Sequence, residues 1–188
     1  MYQNRTRVSR GTRIKIVVFD IDGVIIDISK RLEEARRMQD YYDISPREVF
    51  YTKKWLELDS PRRLGIQLLK ALSKKYKIVL VTGRPSSLRK ATIDQLKQYG
   101  ILYRRDYEEI LMRPENDRRP SWQVKADLLR KIREEDPTIC IVEIHDDNID
   151  DLTAMGRIAR EARLVLHLDN RTEVVREHTL PEEECIDL

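Results

Sequence analysis

Two carboxylates, Asp20 and Asp22, stand where the apolar run of "KIVVFDIDGVIID" stops. Residues two apart on an extended chain point the same way, so both can face one crevice. Farther along, "VTGR" supplies Thr82, Gly83 and Arg84, and "HDDNIDD" supplies Asp146, Asp147, Asp150 and Asp151. Lys125 lies near the start of the helical pattern that leads into the latter. Asp20, Asp22 and Asp146, with Asp147 nearby, would repel one another if left alone. A hard divalent cation with oxygen ligands resolves this, and Mg²⁺ is the usual choice beside phosphate. Because Mg²⁺ takes only one or two carboxylates plus substrate oxygens and water, a carboxylate is left free to act as a nucleophile. Thr82 can donate a hydroxyl and a backbone N–H to a phosphate oxygen, Gly83 lets the backbone approach closely, and Lys125 can neutralise the nucleophile and the transferring group. Cations and metal around developing negative charge are what phosphoryl transfer needs.

These residues converge only if the intervening elements bring them together. Strand patterns recur at Ile14–Phe19, Tyr76–Val81, Tyr107–Met112, Ile139–Ile144 and Leu164–Leu168. Helical patterns separate most of them, at Pro61–Leu72, Ser87–Tyr99 (stopped by Gly100), Ser121–Glu135 and Ile149–Ala162. Alternating strands and helices predict a parallel sheet with helices on both faces. In such a sheet, sites form beyond the carboxyl ends of the strands, which is where each polar cluster falls. Between the first two strands lie about fifty residues, Gly23 to Lys75, too many for one crossover helix. Helical segments at Ser29–Gln39 and Pro46–Leu56 predict a small insert, about residues 29–60, beside the first strand's mouth.

The chain of 188 residues is long enough for one domain with its own core; its 40% apolar content argues for a globular protein and its 37% charged content for an ion-paired surface. A net charge of +3 does not argue for nucleic acid by itself. Met1 to Arg13 holds four arginines and no acid and reads as a flexible basic arm, while residues 171–188 read as a tail that becomes acidic from Pro181. The core is then 14–170. Cys140 and Cys185 lack metal-ligand spacing, which suggests reduced thiols. No run approaches the ~20 apolar residues of a membrane span, and no signal segment is evident, so a cytoplasmic location is expected.

With these residues in place, "FDIDGV", "LVTGR", Lys125 and "HDDNID" resemble the four motifs of the haloacid dehalogenase superfamily of phosphotransferases, over roughly Ile14 to Leu168. The resemblance implies a Rossmann-like α/β fold with a five-stranded parallel sheet in the order 5-4-1-2-3. It implies Asp20 as nucleophile, Asp22 as general acid/base, Thr82 as phosphate ligand and Lys125 as stabiliser of the intermediate. It further implies Mg²⁺ held by Asp20, the Asp22 carbonyl and Asp146, with Asp147 or Asp150 assisting. "RPENDRRPSWQVK" (Arg113 to Lys125), an Arg eleven residues after Asp20 and an Arg after Thr-Gly are similar to the 3′-phosphatase domain of bacteriophage polynucleotide kinase and its bacterial phosphatase relatives. Arg31 and Arg84 are thereby candidates for binding substrate phosphate. Val24, Lys30 and Ser121 depart from the pattern of those relatives, and no P-loop kinase motif is present.

The expectation is a Mg²⁺-dependent phosphomonoester hydrolase acting through an aspartyl-phosphate. Its substrate class would be a nucleic-acid 3′-phosphate end, with a nucleotide or small metabolite as the alternative, the latter especially if a second subunit supplies a lid. A non-catalytic Mg²⁺-binding module is a lesser alternative. Among the remaining residues, His145 reads as a strand-end residue with a structural hydrogen bond. Trp122 is open to base stacking or to packing against the insert. Arg118 and Arg119 could meet a polyanion or pair with Asp117.

Overall fold

The computed structural model describes residues 13–42 and 45–178. Most of the basic arm, the acidic end of the tail and Cys185 lie outside the described residues. In chain order the elements are β1 (Ile14–Phe19), β2 (Ile26–Asp27), α1 (Ser29–Tyr42), α2 (Pro46–Phe50), β3 (Ser60–Pro61), α3 (Arg63–Leu72), β4 (Lys77–Pro85), α4 (Arg89–Gln98), β5 (Glu109–Arg113), α5 (Ser121–Glu135), β6 (Ile139–Asp146), α6 (Ile149–Ile158), β7 (Arg163–His167) and β8 (Thr172–Arg176). Short 3-10 turns at Lys53–Leu58 and Ser86–Leu88 precede β3 and α4.

β1 is central because it is apolar on both faces. Val17 and Phe19 enter one core layer with Leu69, Leu80 and Leu96, while Ile16 and Val18 enter the other with Leu129, Leu152 and Met155. This is the pattern of a parallel strand covered by helices on both sides. Six strands form the main sheet in the order β5-β4-β1-β6-β7-β8, and β2 pairs with β3 in a separate two-residue ladder. The five parallel strands thus take the expected order. The sixth strand, β8, pairs antiparallel with β7 and lies in the segment read as a tail.

β8 also explains why α6 stops at Ile158, short of the expected Ala162. The Arg176 guanidinium donates to the carbonyl oxygens of Gly156 (2.9 Å), Ala159 (2.6 Å) and Ala162 (2.8 Å), so acceptors at the end of the helix are satisfied from outside. β4 runs on to Pro85, beyond the expected Val81, and carries Thr82, Gly83 and Arg84 within the strand. The insert comprises α1, α2 and the Lys53–Leu58 turn. α1 is mostly polar, and its buried residues are Ala35 and Arg31. Cys140 is buried in β6.

Candidate functional site

Asp20 follows β1 directly, and its N–H donates to the His145 carbonyl (2.9 Å), extending the ladder to β6. Asp146 ends β6, so the pairing of β1 with β6 sets these two carboxylates side by side. Lys125, in the second turn of α5, points beneath them. Its ammonium lies 3.0 Å from Asp20 Oδ2, 2.8 Å from Asp146 Oδ2 and 2.7 Å from Asp151 Oδ2. Burial alone would push the lysine pKa down, but Asp146, Asp20 and Asp151 outweigh it and hold the group cationic. Burial raises the carboxyl of Asp20, and Asp146, Asp147 and Asp22 add to this against the pull of Lys125.

Asp20, Asp146 and Asp147 each offer an oxygen within 4.8 Å of the others. Asp147 is an exposed residue at the mouth, yet its carboxyl is pushed up to about 7, first by loss of water and then by the charge of Asp146. Asp20 Oδ1 is buried and, among the described residues, has no hydrogen-bond partner. A converging set of acids with one buried, unpartnered carboxylate oxygen fits a hard cation. Gly23, at φ +78°, makes the turn that follows Asp22; a Cβ there would overlap the Asp147 carboxylate. The position therefore needs glycine both for its backbone and for its space.

Asp22 faces away from this cluster. Its Oδ1 accepts from Arg31 Nη2 (2.6 Å) and Arg84 Nη2 (2.6 Å), and its Oδ2 from Arg84 Nε (3.0 Å). Burial would raise its pKa, but Arg84 and Arg31 together hold the carboxyl well below the usual range. The Asp22 carboxylate is therefore not part of the metal-type cluster, and the ligand that the resemblance implies from Asp22 is its backbone carbonyl.

Arg31 and Arg84 are fully buried. Besides Asp22, Arg31 donates to Asp59 Oδ1 (2.8 Å) and the Phe50 carbonyl (2.9 Å). Arg84 donates to Gln95 Oε1 (2.8 Å), Thr92 Oγ1 (3.2 Å) and Asp59 Oδ2 (3.3 Å). Both were expected to bind substrate phosphate. Their donors are instead committed to two internal acids, Asp22 and Asp59, because a buried guanidinium requires charge and hydrogen-bond compensation. Thr82 is buried, and its Oγ1 accepts from the Arg84 N–H (3.2 Å), which leaves the hydroxyl proton to donate elsewhere.

Asp150 is not one of the grouped acids. It is exposed in the first turn of α6, and its N–H is capped by Asn148 Oδ1 (2.9 Å). Asp151 takes the inward place instead. Helical spacing could have decided this, because Asp151 lies four residues before Met155 and beside Leu152, both in the core. Asp59, by contrast, carries no local signal; its partners lie 25, 28 and 36 residues away. His145 is buried, stacks on Phe19 (4.0 Å) and meets His167 Nε2 (2.9 Å), as a structural residue. Trp122 is exposed, and Arg119 pairs with Asp117 (2.7 Å) and Asp127 (2.6 Å).

A family model described as HAD superfamily, subfamily IIIB (acid phosphatase) matches residues 1–175. Among solved structures, the chain is similar to one of the Pnkp1/Rnl/Hen1 complex, at 22% identity and a TM-score of 0.62, covering 88% of this chain and 51% of that one. A structure of the Pnkp1/Rnl/Hen1 RNA repair complex matches at 23% identity and a TM-score of 0.57, covering 77% and 40%. The chain thus spans about half or less of those chains. A HAD family enzyme from Bacteroides thetaiotaomicron, complexed with magnesium and inorganic phosphate, matches at 12% identity and a TM-score of 0.52, covering 84% and 96%. No curated protein matches the chain. Among the described residues, no helix is long and apolar enough to cross a membrane.

Proposed function

The chain belongs to the HAD superfamily, subfamily IIIB, a phosphatase family, and on that premise we propose that it hydrolyses phosphomonoesters through an aspartyl-phosphate on Asp20. The observation that carries this reading is the environment of the Asp20 carboxylate. One oxygen is held by Lys125, the other is buried without a partner among the described residues, and Asp146 and Asp147 stand within ligand distance. Mg²⁺ held by Asp20, Asp146 and Asp147 would neutralise their repulsion and the charge of the transferring phosphoryl group.

In this mechanism Asp20 attacks phosphorus, forming an acyl-phosphate bond as the P–O bond to the leaving group breaks. Thr82 donates its hydroxyl proton to a phosphoryl oxygen. Lys125 neutralises the nucleophile's side of the transition state, itself held in place by Asp146 and Asp151. Asp22 gives a proton to the leaving oxygen, then takes one from the water that attacks the intermediate, and Asp20 is released with inorganic phosphate. With Arg31 and Arg84 holding it ionised, Asp22 is better poised for the second of these tasks.

The test is p-nitrophenyl phosphate hydrolysis with Mg²⁺ and with a chelator. Asp20→Asn should lower kcat by about three orders of magnitude or more, as expected when a covalent nucleophile is removed. Near-normal turnover in that variant would remove Asp20 from the role. For the substrate, we propose a nucleic-acid 3′-phosphate end. Support comes from the likeness to the chain in an RNA repair complex and from an insert too short to form a large enclosing lid. Preferred turnover of free nucleotides or sugar phosphates over a 3′-phosphorylated oligonucleotide would assign the alternative, a small-metabolite phosphatase.

A further inference from the structure

Gly83 sits in β4 between Thr82 and Arg84, and its missing side chain opens onto three polar groups. A Cβ built there would lie 3.1 Å from Ser121 Oγ, 3.4 Å from Tyr51 Oη and 3.6 Å from Arg113 Nη2. The three come from separate parts of the fold: the first residue of α5, the segment just after α2 in the insert, and the end of β5. None belongs to the acidic cluster or to the network around Asp22.

Arg113 differs from the other buried arginines of this region. It is 2% exposed, yet among the described residues it has no ion pair with a carboxylate. Its Nε donates to the Gly83 carbonyl (2.8 Å), and its Nη1 to the carbonyls of Arg119 (2.6 Å) and Asp117 (3.2 Å). The Asp117 carboxylate is taken by Arg119. Arg31 and Arg84 each have two acids; Arg113 has backbone carbonyls instead, and its Nη2 faces Gly83 and the two hydroxyls. Tyr51 is close enough to the reaction centre that Asp22 and Asp20, after burial, help to raise its phenol pKa. A buried guanidinium held by backbone carbonyls, with no carboxylate partner among the described residues and beside two hydroxyls and an open glycine, is an arrangement that an anion completes.

We propose that Arg113, Tyr51 and Ser121 form a second anion subsite at Gly83, which takes a second phosphate group of the substrate beside the scissile phosphomonoester. This rests on the phosphatase reading and deepens it. The preferred substrate carries its phosphomonoester on a carrier that is itself phosphorylated, as a 3′-phosphorylated dinucleotide or a nucleoside 3′,5′-bisphosphate is.

The experiment compares kcat/KM for these two substrates with that for the matching nucleoside 3′-monophosphate, which has the same leaving group without the second phosphate. Wild-type protein should prefer a doubly phosphorylated substrate, and Arg113→Gln should cut that preference about tenfold or more, mainly through KM. Arg113→Lys should restore part of it. Which of the two doubly phosphorylated substrates gains more separates a phosphodiester from a terminal phosphate as the bound group. Tyr51→Phe and Ser121→Ala, which leave the Arg113 bonds to backbone intact, should each reduce the preference; they decide the matter if Arg113→Gln does not fold. No preference in wild type, or equal losses on all substrates in every variant, would overturn the subsite. Hydrolysis of none of the substrates by wild type would instead overturn the phosphatase reading on which the subsite rests.

Discussion

Asp22 is the residue on which the chemistry is most finely balanced. A general acid must carry a proton, and the bonds from Arg31 and Arg84 oppose one. If Asp22 nonetheless protonates the leaving oxygen, its removal should hurt poor leaving groups most, since p-nitrophenolate departs without a proton. Asp22→Asn is therefore expected to lose about a hundredfold more kcat/KM on an alkyl phosphate than on p-nitrophenyl phosphate, within the range for general acid catalysis. A ratio that does not move would confine Asp22 to activating water. At this scale Asp20, Asp146 and Lys125 were legible because each sits at a strand end or first helical turns, where local pattern predicts position. Arg31 and Arg84 were singled out by the family resemblance, which could not show that their donors meet internal acids. Whether a guanidinium faces a substrate or a buried acid depends on Asp59, which reaches Arg31 across 28 residues of sequence.

Among the elements, α3 shows how closely the helices must seat to hold the mouth of β1. Gly65 in α3 is buried against the turn after β1, and a Cβ there would overlap the Val24 carbonyl oxygen. Gly156 in α6 is also tight, but its contact is with Leu164 Cδ1 (2.6 Å), the end of a side chain with other rotamers. Backbone cannot move aside as a leucine can. Gly65→Ala should therefore cost roughly 3 kcal/mol or more by forcing α3 off the sheet, and Gly156→Ala well under half of that. Urea unfolding of both variants checks the order, and a Gly156 variant destabilised as much as the Gly65 one would contradict it. The pattern that placed α3 came from Leu64, Leu68, Leu69 and Leu72, and the one that placed α6 from Leu152, Met155 and Ala159. The pattern could not show which glycines lie under backbone, because this depends on where a distant turn passes.

For the molecule as a whole, the sequence made the parallel core legible because its strands are apolar on both faces. It did not reveal β8, whose five residues are partly or fully exposed and whose contribution is an antiparallel edge and the Arg176 cap. That added edge lies beside β7, which ends in His167, a buried imidazole against His145 with Arg62 and Glu143 acting on it. Burial, then the charge of His145 and of Arg62, lowers the His167 pKa to about 3. In the unfolded chain it would titrate near 6.5. Between those values the unfolded state binds a proton that the folded state does not, so stability falls as pH falls from about 6.5 toward 3. From pH 7 to pH 5 this one group should remove about 2 kcal/mol of unfolding free energy. His145, whose pKa is also lowered by burial, adds in the same direction, whereas the raised carboxyls of Asp20 and Asp146 act in the opposite one. Net pH dependence is therefore not the useful quantity; the difference between wild type and His167→Gln is. Glutamine keeps a hydrogen-bonding group beside His145 and does not titrate, so urea unfolding at the two pH values should show a smaller loss in the variant by that amount. Equal losses in the two proteins would mean that His167 takes up its proton without leaving the fold.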